Sequence, residues 1–77
     1  MNKQRRKALE DLQSELETQK EHLEELKDEE QEYFDNMPES FQSAERGEKA
    51  QTAISHLEEA LEAIENAIES IDNAIEN

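Results

Sequence analysis

AISHLEEALEAIENAIESIDNAIEN, the stretch from Ala53 to Asn77, decides the fold. Cut into sevens it reads AISHLEE, ALEAIEN, AIESIDN and AIEN, with alanine opening every block. With Ile54 at heptad position a, the a row is Ile54, Leu61, Ile68 and Ile75, and the d row is Leu57, Ile64 and Ile71. Ala53, Ala60, Ala67 and Ala74 all fall at g. Apolar a and d rows mark a helix packed along a seam. The alanine row widens that seam to the face expected of a bundle helix. Such a face must be covered.

The first half of the chain supplies a cover. Leu9, Leu12, Leu16, Leu23, Leu26, Tyr33 and Met37 fit a second frame with Leu9 at a, interrupted by Gln19 at d and Glu30 at a. Strong helix formers fill the rest, so a helix is predicted over about 3–36, roughly 50 Å long. Pro38 disfavours helical geometry at Met37 and ends it. An apex over 37–42 follows, with Asn36 as a candidate cap for a short turn and Glu39 three residues on. Ser43 is the expected N-cap of a second helix over about 43–76, with Glu45 in its first turn suited to the helix dipole. Gly47 lies inside that helix, costs up to ~1 kcal/mol against alanine, and needs a packing reason.

Two arms around one apex predict an all-α antiparallel hairpin, coiled-coil-like, in a single domain spanning 1–77. If paired residue numbers sum to 80, Leu9 meets Ile71, Leu16 meets Ile64, Leu23 meets Leu57 and Tyr33 meets Gly47, so every a faces a d and the glycine makes room for the tyrosine. The e rows then pair Arg6 with Asp72, Gln13 with Glu65, Lys20 with Glu58 and Lys27 with Gln51, with no like charges opposed. A lone hairpin is marginal at 77 residues. Isoleucine at both a and d, with the alanine row, suits a bundle of four or more helices. The expectation is a homodimer of hairpins, with a higher oligomer or a heteromer with another partner as alternatives, sealed along Ile54, Leu57, Ala60, Leu61, Ile64, Ala67, Ile68, Ile71 and Ile75.

Charge bounds the function. The chain carries 22 acidic and 8 basic residues, net −14, and charged residues are 39% of it. Lys3, Arg5, Arg6 and Lys7 precede every acid, so residues 8–77 set four bases against 22 acids, net −18. This balance argues against direct binding to nucleic acid or an anionic membrane and favours basic partners. The basic start is expected to pair with acids near the C-terminus. Without cysteine there is no disulfide or thiolate metal site. No apolar run reaches the ~20 residues of a membrane span and no signal-peptide core follows the start, so a cytoplasmic protein is expected.

The residues for chemistry are sparse. His22 and His56 sit in the similar strings EHLEEL and SHLEEA, but a carboxylate-bundle metal site needs Glu three residues before each His, where Gln19 and Ala53 stand. The many carboxylates fall on water-facing positions and not in a cleft with unequal environments. No metal, no cofactor and no enzymatic activity are expected. The apex YFDNMPESFQSAERGEK is different. It concentrates Tyr33, Phe34, Met37, Phe41 and Gln42 with Arg46 and Lys49. These residues close the end of the hairpin or form a recognition tip, since aromatic, Met and Arg side chains are favoured anchors. A rival binding surface is the acidic helix face with Glu62, Glu65 and Glu69.

The block EYFDNMPESFQSAERGEKAQTAISHLEEALEAIENAI resembles small acidic helical proteins encoded by bacteriophages and prophages. The likeness covers about residues 28–70, and its specific part is NMPES followed by RGEKA. It implies a phage setting with the host cytoplasm as location and carries no catalytic residues; no activity is assigned to the group, and the setting favours interference with a host process. The resulting expectation is a non-enzymatic protein that inhibits a basic host factor through protein–protein binding or by imitating nucleic-acid phosphate. One alternative is an oligomeric sponge holding a small ligand such as a signalling nucleotide through Arg46, Lys49, Gln19 and His22. Another is a plain assembly element.

Overall fold

From Lys3 to Asp35 the chain has no glycine or proline and one β-branched residue, Thr18. In a computed structural model describing residues 1–77, this run is a single helix, α1 (Lys3–Asp35). Asn2 caps it, its Oδ1 accepting the Arg5 N–H at 2.7 Å. Helix α2 (Glu39–Gln42) follows Pro38, whose carbonyl accepts the Phe41 and Gln42 N–H groups at 2.8 and 3.1 Å. Helix α3 (Glu45–Glu76) completes an all-α antiparallel hairpin 58 Å long. No helix is long and apolar enough to cross a membrane.

The caps between the arms differ from expectation. Ser43 terminates α2 instead of starting α3, and its hydroxyl donates to the Glu39 carbonyl at 3.4 Å. Ala44 stands at the N-cap of α3 with no side-chain hydrogen bond, so the acidic first turn of Glu45 and Glu48 is left to complement the dipole. Asn36 closes α1, and Pro38 takes the N-cap place of α2.

The contacts along the edge also differ. Gln13 Nε2 donates to the Asp72 carboxylate at 3.4 Å and the Ile68 carbonyl at 3.2 Å, and Lys20 Nζ meets Glu65 at 2.7 Å. Gln13 with Asp72 and Lys20 with Glu65 each sum to 85, so the e-row pairs are displaced by one heptad from those expected. These are contacts between the ends of long side chains that lean toward the N-terminus of their own helix, and the one made to backbone, Gln13 with the Ile68 carbonyl, sums to 81.

Gly47 has a different packing reason from the one expected. It does not face Tyr33, which is 49% exposed. A Cβ at Gly47 would lie 2.6 Å from Gln42 Cα and inside contact with the Gln42 carbonyl. Its φ is not positive, so the requirement is steric. Gln42 is pinned there, its Nε2 donating to the Phe34 carbonyl at 3.1 Å. Glycine allows α2 to lie on α3.

The two arms use different rows. Helix α3 turns its a and d residues inward as the heptads predict, with Ile54 buried and Leu57, Leu61, Ile64, Ile68, Ile71 and Ile75 half-buried. Helix α1 is rotated. Its inner rows are a (Leu9, Leu16, Leu23, Glu30) and e (Arg6, Gln13, Lys20, Lys27, Phe34), all half-buried. Its d residues Leu12 and Leu26 stay 43% and 57% exposed. The long stems of Lys20 and Lys27 lie along the seam while their charged ends reach out. The expected pairing of every a with a d therefore fails on the α1 side.

Candidate functional site

The rotation gives the hairpin two unlike faces. On one, the b, e and f rows of α1 and the b and e rows of α3 meet in a groove lined by Glu17, Glu21 and Glu24 of α1 and Glu65, Glu69 and Asp72 of α3, with Gln13 and Lys20 between them. The side chain of Gln13 meets Asp72 and that of Lys20 meets Glu65, so these carboxylates occupy the twelve residues of α1 from Gln13 to Glu24. That is about 16 Å of helix axis. Only Lys20 opposes them. Its hydrogen bond to the Glu65 carboxylate raises its pKa above the ordinary 10.5 against the lowering effect of partial burial. Of the predicted acidic face, Glu65 and Glu69 line this groove, and Glu62 continues the same row one heptad toward the tip.

On the opposite face, a shallow groove is lined by Leu26, Glu29, Glu30, Ala53, His56 and Leu57. The exposed Leu12, Leu26 and Tyr33 run along its α1 side and the alanine row along its α3 side. Ala53 and Ala60 are half-buried there, whereas Ala67 and Ala74 are exposed.

The tip sorts its residues by depth. Met37 is buried and Phe34 and Gln42 are half-buried, so these three close the end. Phe41 is 46% exposed and does not join them. Instead the Arg46 guanidinium lies 5.5 Å from its ring centroid, a cation–π stack. Tyr33, Met37, Pro38, Phe41 and Arg46 line a shallow recess around that pair. Lys49 turns away to Glu45 at 3.3 Å. The recess thus gathers Tyr33, Met37, Phe41 and Arg46 of the predicted recognition residues; Phe34, Gln42 and Lys49 are outside it, and Lys49 lines an adjoining recess with Phe41 and Arg46.

Other candidates are dispersed. Gln19 and His22 are exposed on α1, far along the stem from Arg46 and Lys49. His56 Nδ1 lies 3.2 Å from Glu59 on its own helix. Arg6 does not reach Asp72, which serves Gln13 instead. Its Nε is buried with no hydrogen-bond partner. Lys7 pairs within α1 with Asp11 at 2.7 Å, a hydrogen bond that raises its pKa. The groove's contribution from Glu17, Glu21 and Glu24 was missed by sequence reasoning because the α1 rotation that aims the b row at α3 has no apolar signal. No family model, no curated protein sequence and no solved structure matches this chain.

Proposed function

We propose that this chain is a non-enzymatic binding protein that uses its acidic groove to occupy a basic surface on another protein. In the phage setting implied by the NMPES and RGEKA resemblance, the target is a host defence or nucleic-acid-handling factor and the effect is inhibition. The chain acts as a homo-oligomer, because the apolar rows outside the seam need a cover. One observation carries the mimicry. Six carboxylates and one ammonium within about 16 Å give a net negative charge every ~3 Å, the linear charge density of one DNA strand. A surface shaped to take phosphates would meet a rigid substitute for them, with charge complementarity steering the encounter.

The test compares proteins retained from a bacterial lysate by the native chain and by a Glu21→Gln, Glu62→Gln, Glu69→Gln variant. These changes spare the Lys20–Glu65 pair and the helix propensity. A partner retained by the native chain, lost by the variant and displaced by added duplex DNA is the expected result. Retention indifferent to both rejects mimicry. Loss on Phe41→Ala or Arg46→Ala instead, with helicity preserved, moves recognition to the tip recess.

A further inference from the structure

We infer that the face opposite the acidic groove is covered by the same face of a second copy, in a dimer whose twofold axis runs parallel to the helices and brings both tips to one end. The inference rests on the reading that the chain assembles with itself; it adds the face, the direction and the register.

The face is defined by exposure and by charge. Leu12, Leu26 and Tyr33 project from α1 with between 43% and 57% of their surface in water. Beside them, α3 presents a g row that is alanine from Ala53 to Ala74 and a c row of His56, Ala63 and Ser70. Neither row holds an acid in this stretch, in a chain of net charge −14. The b, e and f rows of α3 all do: Glu62, Glu65 and Glu59 are examples. A partner of equally negative charge can approach α3 closely on this side without setting carboxylate against carboxylate. That singles out a second copy as an occupant the surface can accept.

The direction follows from register. A twofold axis parallel to the helices moves nothing along them, so α1 must meet the other copy's α3 at the axial levels where it meets its own. Within one chain the side-chain ends meet at the levels of Lys20 with Glu65 and Gln13 with Asp72. The outward rows obey the same rule to within one residue. Leu12, Leu26 and Tyr33 of one copy come level with Ala74, Ala60 and Ala53 of the other, large side chains against small ones. Glu15 and Glu29 come level with Ser70 and His56. A perpendicular axis would instead stack α1 on α1, matching Leu12 with Tyr33 but bringing Glu15 beside Glu29. Like charges so placed are unfavourable. From Leu12 to Tyr33 the strip is about 32 Å long, and across the 15 Å width of the hairpin it offers on the order of 500 Å² per copy, about 1,000 Å² in total, the lower bound for a specific interface.

The experiment pairs sedimentation of the native chain at micromolar concentration with cysteine linking. Chains carrying Leu26→Cys, mixed with chains carrying Ala60→Cys and mildly oxidised, should give a disulfide-linked species of twice the 9.0 kDa chain mass, with neither variant linking alone. A folded native monomer would overturn this inference and the assembly reading together. A native dimer in which His22→Cys links to itself, or Gln19→Cys links to Leu26→Cys, means a perpendicular axis and overturns the geometry alone. A native dimer with no linking in any of these sets puts the interface on another face and also overturns it.

Discussion

The tip and the stem of this hairpin differ in the opposite sense to their sequences. The stem has the regular heptads, yet past Ile54 none of its apolar residues is more than half-buried. The tip has the broken pattern, yet Met37, Gly47, Ala50 and Ile54 are the four buried residues of the chain. The cause is what surrounds the seam at that end. Gln42 of α2 lies against Gly47, and Gln31 and Phe34 of α1 stand beside Ile54; Ala50 retains 3% exposure and Ile54 retains 7%. In the stem two helices meet along one line, and a cylinder touching one other cylinder cannot bury a stripe three rows wide. Periodicity states which residues want cover; it does not supply the cover.

The largest effect that would break this comparison is in the core. Ile54→Ala should cost about 2–5 kcal/mol, the range for a buried aliphatic truncated to alanine. Ile71→Ala in the half-buried stem should cost roughly half as much in dilute solution, measured by chemical denaturation. If a second copy covers the stem, the gap between the two should narrow as protein concentration rises. Equal costs at every concentration would mean that the stem is as well packed within one chain as the tip.

Next is the contact of α2 with α3. Gly47→Ala places a methyl group against the Gln42 backbone, which cannot swing aside as a side-chain end could. The overpacking should cost about 1–3 kcal/mol, offset by up to ~1 kcal/mol of gained helix propensity. The melting temperature should fall, and Met37 should become more exposed as α2 lifts. A rise in melting temperature would show that α2 moves freely and does not hold the tip.

How much of this was legible depends on where apolar side chains mark the contact. The hairpin and the α3 seam from Ile54 to Ile75 follow from continuous heptads, and the structure keeps them. The rotation of α1 does not follow, because half of its inner face is Arg6, Gln13, Lys20 and Lys27. Those residues pack by their stems and read as solvent-facing. Leu12, Leu26 and Tyr33 read as core and are exposed. Gly47 signalled a close approach correctly, but its neighbour is a four-residue helix too short to leave a period. The displaced e-row contacts have the same origin, since Gln13 and Lys20 reach across the seam by their long side chains. In the candidate site, Glu65 and Glu69 were legible as acids, whereas their convergence with Glu17, Glu21 and Glu24 depended on that rotation.

The acids concentrate the chain's repulsion in the stem, so the comparison also has an ionic side. Raising salt from low to moderate should increase the melting temperature by a few degrees, equivalent to less than ~1 kcal/mol, as like charges are screened. The increase should shrink in the Glu21→Gln, Glu62→Gln, Glu69→Gln variant. A melting temperature that falls steadily with salt would mean that cross-helix attraction outweighs repulsion.

The smallest expected effect isolates that attraction. Lys20 bridges the two helices at Glu65, 2.7 Å away, and this hydrogen bond raises its pKa in the folded chain above 10.5. A raised basic pKa means that folding favours the protonated form, so the pair's stabilisation is fully present below 10.5. It is lost as pH climbs through the raised value, because the folded chain must then release a proton that it holds more tightly than the unfolded one. Lys7 shares the direction of shift through Asp11, but its pair lies within one helix and says nothing about the seam. The informative quantity is therefore the difference in melting temperature between the native chain and Lys20→Met, which keeps a stem of similar length along the seam while removing the charge. That difference should be small and positive across neutral and mildly alkaline pH and should close above 10.5, while general repulsion lowers both proteins alike. A difference that persists unchanged at high pH would assign the role of Lys20 to the packing of its stem, making the α1 e row an apolar contact in effect and leaving Glu65 as one more acid of the groove.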